Sequence, residues 1–262
     1  MTLPNPYFEL TRELNAGGRI VALASGQAVV YYRLAIMSKD GDWIVKETET
    51  ACRRVLEALT RREARYRPSA PLDVRWLAGG WSSHLEFFDS DGRRIRCDFV
   101  SRPPRITKQA LHRLFSQEEG EEPAVVNVES LIRMKQTQRA KDYPVIGELA
   151  RQLPPEEEIE LTTDPDRILE LAGEHGESSS RPAVLKARRG EGRRAVVLAL
   201  AEEIDDLQLE DQARVRAYSR AAAPYLRQAR KLDLSLPEGH RRLCDLAERL
   251  LPRKVETDAD AE

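Results

Sequence analysis

Cysteine is scarce in this chain and comes without a pattern: Cys52, Cys97 and Cys244 are three and far apart. They make neither a closely spaced metal-binding pair nor an even disulfide set, which excludes a disulfide-stapled scaffold and makes a reducing cytosol the expected compartment. Histidine is equally sparse, and His84, His112, His175 and His240 read as ordinary surface or packing residues. A basic excess is missing too. With a net charge of −2 the chain has no general nucleic-acid coat, although a local basic groove is allowed. No apolar run reaches the length of a membrane span, and Met1 to Pro6 lacks the basic and apolar regions of a signal peptide. Aromatics make up only 6% against 33% charged residues, the balance of a protein with much exposed helix.

What is there is enough chain, 262 residues, for one large domain or two smaller ones. Its centre of interest is Ser25-Gly26, followed by an apolar run and then Lys39-Asp40-Gly41-Asp42-Trp43-Ile44-Val45. Side chains alternate along a strand, so Asp40 and Asp42 on one strand direct their carboxylates to the same face, an arrangement suited to hard divalent cations. In Arg94 to Val100, Ile95, Cys97 and Phe99 take one face while Asp98 and Arg96 take the other, offering a third carboxylate. Upstream, Ile20 to Ala24 reads as a buried strand, Ser25-Gly26 as a turn and Gln27 to Leu34 as a helix, an order that aims backbone N–H groups at one point. A plainer reading stays open, because Lys-Asp-Gly-Asp is also a good hairpin turn with solvated carboxylates at its tip.

Taken together, a small-residue pair, a helix, an Asp-x-Asp strand and a third Asp on a later strand resemble the nucleotidyltransferase superfamily, including its minimal and toxin-type members. The resemblance covers residues 8–152 and departs from the family pattern at Ser25 and at Gly41. It implies an α+β fold with a mixed sheet flanked by helices, and transfer of a nucleoside monophosphate from a nucleoside triphosphate, with Mg2+ or Mn2+ as cofactor. Asp40, Asp42 and Asp98 would hold the metal and carry the chemistry, with Asp98 alternatively the base. Ser25, Gly26, Lys135, Arg139 and Lys141 would bind the nucleotide. The acceptor, whether RNA, protein or small molecule, is left open, as is a toxin–antitoxin or defence setting. A non-catalytic binding protein on the same fold is the alternative.

The remaining chain supplies the frame. Phe8 to Leu14 and Thr48 to Tyr66 have helical spacing, Leu72 to Leu77 alternates as a strand, and Ser83 to Phe88 pairs with Arg93 to Val100 across a turn at Asp89 to Gly92. Lys108 to Phe115 returns to helix before the acidic loop Ser116 to Glu122. A short strand at Val125 feeds a helix capped near Asn127, with Val128, Leu131 and Ile132 inside. Lys135 falls on that inner stripe, and its ammonium needs either a nucleotide phosphate or a route to water. Asp142, ahead of Pro144, suits a helix cap. The expected divisions are 1–153, a helical region 154–255 that covers the sheet or holds a protein partner, and an acidic tail 256–262. Within the helical region, Lys186 to Arg194 is a dense basic run able to touch RNA or to sit solvated.

Overall fold

The computed structural model describes residues 5–116 and 123–256. The acidic loop 117–122 and most of the expected tail lie outside them. The chain divides into two compact units, one made of 1–126 with 216–262 and the other of 127–215. The expected boundary at 153/154 falls inside the second.

The first unit is α+β, with a five-stranded mixed sheet in the order β1-β2-β5-β4-β3. It begins with α1 (Pro6–Asn15), capped by Asn5, whose side chain accepts the Tyr7 N–H at 2.9 Å. Then come β1 (Val21–Ala24), α2 (Ser25–Tyr31), β2 (Asp40–Val45), α3 (Glu49–Thr60) and β3 (Arg65–Tyr66). After α4 (Val74–Leu77), β4 (Ser83–Phe88) and β5 (Arg94–Val100) form the expected hairpin, and α5 (Lys108–Ser116) follows. The hairpin turn is held by Asp89, whose carboxylate accepts the backbone N–H groups of Asp91 and Arg93 while Gly92 takes φ +74°. Leu72 to Leu77 is a correction. Asp73 accepts the Arg75 N–H at 2.9 Å and starts a short helix where alternation predicted a strand.

One pairing is out of the ordinary: β2 runs parallel to β5, while the other neighbours in the sheet are antiparallel. The inner face of the sheet, with Trp43, Leu85, Cys97 and Phe99, is buried against α1 and α3 and against residues from the end of the chain, including Tyr225, Leu243 and Leu246. That returning segment also closes the sheet edge, since Tyr66 N–H donates to Leu234 O at 2.9 Å and Leu236 N–H to Ala64 O at 3.0 Å. A paired edge is protected from stray association.

The second unit is helical: α6 (Val128–Lys135), α7 (Tyr143–Ala150), α8 (Pro155–Leu161), α9 (Pro165–His175), α10 (Pro182–Arg188) and the first part of α11 (Gly192–Ala229). α11 is one continuous helix with Pro224 inside it. The last helix among the described residues is α12 (Glu238–Leu250), in the first unit. Ile159, Ile168, Leu171, Val184, Val196 and Leu200 form the core of the helical unit. In the basic run, Lys186 pairs with Glu191 at 2.8 Å and Arg193 with Asp166 at 2.7 Å, so its charge is partly answered within the protein.

Candidate active site

β2 begins at Asp40, so Asp40 and Asp42 are strand residues and the hairpin-tip reading does not hold. Because β2 and β5 are parallel with Asp42 opposite Asp98, and β4 is antiparallel with His84 opposite Asp98, one row across the sheet reads Asp42, Asp98, His84. The adjoining row reads Asp40, Arg96, Glu86. Alternation places both rows on the face opposite the aromatic core.

Gly41 explains itself here. A Cβ at that position would lie 2.4 Å from the Trp43 ring and 2.5 Å from Tyr7. Trp43 in turn stacks on Phe99, with centroids 5.2 Å apart, and donates its indole N–H to Thr11 Oγ1 at 2.8 Å. Glycine at position 41 is thus a packing solution on the inner face, and it leaves both carboxylates on the outer one. Gly26 is also a close approach, since a Cβ there would meet Ser38 Oγ at 2.3 Å. Ser25, at φ +49°, holds the left-handed conformation that costs a non-glycine residue energy, and it opens α2. Its hydroxyl hydrogen-bonds Asp42.

The electrostatics of the row are unequal. Burial, then the charge of Asp98, push Asp42 up to about 6, against the opposing Ser25 hydrogen bond. Asp98 is also penalised by burial, but His84 and Arg67 outweigh that and hold it below the ordinary carboxylate range. His84 Nδ1 lies 2.9 Å from Asp98 Oδ1, and the Arg67 guanidinium pairs with the same oxygen. Asp40 faces Arg96 at 3.3 Å. Among the described residues the three carboxylates do not all come within 4.8 Å of one another. A half-buried Asp42 beside an anionic Asp98 is nevertheless a pair of hard oxygen donors, with Asp40 one step along the same face.

His84 and Arg67 are the members of this site that sequence reasoning missed. A signal for His84 existed: the hairpin turn at Asp89 to Gly92 fixes the register, and that register puts His84 beside Asp98.

Lys135, Arg139 and Lys141 belong to the helical unit. Lys135 is buried, as its place on the inner stripe of α6 required, and its Nζ lies 3.3 Å from Asp142 Oδ1. Arg139 reaches the other oxygen of Asp142 at 2.8 Å, and Thr137 donates to it at 3.3 Å. Asp142 therefore anchors a charge cluster, and its side chain makes no cap hydrogen bond to α7. Lys141 is exposed. Asn127 does cap α6, accepting the Ser130 N–H at 2.9 Å. Lys135→Met should cost the helical unit about 2 kcal/mol, less than a fully orphaned buried charge because Arg139 still answers Asp142. Urea unfolding of the variant checks this, and an unchanged midpoint would show the pair to be dispensable.

No family model matches the chain, and no curated protein matches it. Two solved structures are similar in arrangement. One is a Helicobacter pylori protein provisionally assigned as a nucleotidyltransferase, 15% identical, covering 79% of this chain and 95% of its own, with a TM-score of 0.40. The other is JHP933 from Helicobacter pylori, 13% identical, covering 80% and 94%, also with a TM-score of 0.40.

Proposed function

We propose that the chain is a metal-dependent nucleotidyltransferase, moving a nucleoside monophosphate from a nucleoside triphosphate to a hydroxyl-bearing acceptor. The observation that carries this is the Asp42–Asp98 pair on adjacent parallel strands, with Asp40 one step along the same face. In the reaction an acceptor hydroxyl gives up its proton to solvent as its oxygen bonds to the α-phosphorus, the bond to the bridging oxygen breaks, and pyrophosphate leaves. Magnesium or manganese held by Asp42 and Asp98, with Asp40, would neutralise the phosphate oxygens. Asp98, kept anionic by His84 and Arg67, is better suited to hold a cation than to take the acceptor's proton. Ser25 acts on Asp42 through its hydroxyl, and Ser25 and Gly26, in the first turn of α2, would offer backbone to the outer phosphates. Lys135 is left out of this scheme because Asp142 already holds it. The acceptor class, RNA, protein or small molecule, and any toxin–antitoxin or defence setting belong to the same proposal as its open terms.

A second reading is favoured by one specific observation: two of the three carboxylates are already paired with arginine, Asp98 with Arg67 and Asp40 with Arg96. A non-catalytic nucleotide-binding protein, holding a protein partner through its helical region, would tolerate that arrangement. Incubation with each α-labelled nucleoside triphosphate, magnesium or manganese and cell extract distinguishes the two. Transfer of label by the native chain, and not by the Asp40→Asn/Asp42→Asn double variant, supports the enzyme and identifies the acceptor class. A nucleotide-dependent rise in melting temperature with no transfer in any fraction supports the binding protein.

A further inference from the structure

Away from the carboxylate row, three residues of different chemistry converge in the sheet-bearing unit: Asp73 at the start of α4, and His240 and Cys244 on α12. The i,i+4 spacing puts the histidine and the cysteine on one face of their helix. Cys244 Sγ lies 3.6 Å from His240 Nε2 and 3.9 Å from Asp73 Oδ2, and one donor atom from each residue falls within 4.8 Å of the others. Zinc bonds of about 2.3 Å to sulfur and about 2.0–2.2 Å to nitrogen or oxygen, at tetrahedral angles, separate neighbouring ligand atoms by about 3.6 Å. The two separations from sulfur, 3.6 and 3.9 Å, lie close to that value.

We propose that Asp73, His240 and Cys244 form a zinc site with a fourth position open to an exogenous ligand. One oxygen, one nitrogen and one sulfur donor make a borderline set that prefers zinc to magnesium or calcium. The outer contacts have the form such sites use. Tyr66 Oη holds His240 Nδ1 at 2.8 Å, leaving Nε2 as the ring nitrogen that faces Cys244, and a hydroxyl can serve either tautomer of the ring. Tyr66 is itself fixed by accepting the Leu72 N–H at 3.0 Å and by stacking on the imidazole. Arg75 grips Asp73, its Nε 2.9 Å from Oδ1 and its Nη2 2.8 Å from Oδ2, so the carboxylate is oriented before any cation arrives. A cavity of about 470 Å³, lined by Arg53, Leu56, Glu57, Thr60, Leu236 and His240 among others, gives solvent a path to the imidazole. On binding, the thiol yields its proton to solvent as the sulfur–metal bond forms.

The test is titration of the full chain, purified metal-free, with Co2+ and then Zn2+. One equivalent of Co2+ should give a thiolate-to-cobalt charge-transfer band with intense ligand-field bands, all bleached by one equivalent of Zn2+. Cys244→Ser should remove the charge-transfer band, and His240→Gln should weaken affinity at least tenfold. Asp73→Asn retains the thiol and a capping oxygen, and decides the matter should the cysteine variant fail to fold: at least tenfold weaker binding supports the site. Absence of a saturable band, a band that survives Cys244→Ser, or unchanged affinity in Asp73→Asn overturns the proposal. None of these outcomes depends on the carboxylate row, since Asp42→Asn should bind Co2+ here like the native chain.

Discussion

Asp42→Asn is expected to lose at least about a hundredfold in nucleotidyl transfer while making the protein more stable above pH 6. The loss follows from removing a ligand of the cation that would neutralise the phosphate oxygens, since losing preorganised charge stabilisation of this kind typically costs about 100- to 1000-fold. The gain follows from the cost of keeping that charge. Asp42 has its folded-state value raised to about 6, against about 3.9 for an unfolded aspartate. A group shifted this way favours the fold fully below about pH 4 and loses that contribution as pH climbs through about 6. Roughly 2 kcal/mol is at stake, taking about 1.4 kcal/mol per unit and discounting for partial exposure. Asparagine keeps an oxygen for the Ser25 hydroxyl and never ionises. Melting curves of the two proteins should therefore coincide near pH 4 and separate at pH 7, with the variant higher. A variant that transfers label normally would remove the catalytic reading, whereas an inactive variant of lower stability would show that Asp42 is a structural anion.

Gly41→Ala should be severely destabilising for so small a change, by about 3 kcal/mol, because overpacking a filled core forces rings off their rotamers. The new methyl would meet Trp43 and Tyr7 at 2.4 and 2.5 Å, and neither ring has room to retreat, Trp43 being stacked on Phe99 and tied to Thr11. Chemical denaturation measures the loss. Coupling Gly41→Ala with Trp43→Leu should recover part of it by vacating the contested volume, so strictly additive losses in the double variant would place the conflict elsewhere.

The strand signals that could be read in the sequence were those with unbroken period two. Arg94 to Val100 and Ser83 to Phe88 show their inner and outer faces directly, and the turn between them gives its own register. Leu72 to Leu77 misled because a six-residue apolar alternation fits a helical turn as well as a strand, and the Asp73 cap decides between them. Lys135 was legible as a buried cation, but a sequence does not say which carboxylate folds back to meet it. His84 looked like one isolated histidine because its significance lies across the sheet. Neither the return of the chain's end to the first unit nor the meeting of Asp73 with Cys244 leaves a local trace, since both depend on pairings between distant segments.

The parallel pairing of β2 with β5 bears on how the molecule comes into being. Arg96 and Asp40, neighbours across that pairing, are 56 residues apart along the chain, and α3, β3, α4 and β4 lie between. Hairpins can close within microseconds, but a long-range parallel register must first absorb the entropy of closing a large loop. The carboxylate row therefore cannot be organised by hairpin closure alone and assembles only when the central strands meet. If nucleotide and metal bind that row as proposed, and only once it is complete, they should slow unfolding and leave the refolding rate almost unchanged.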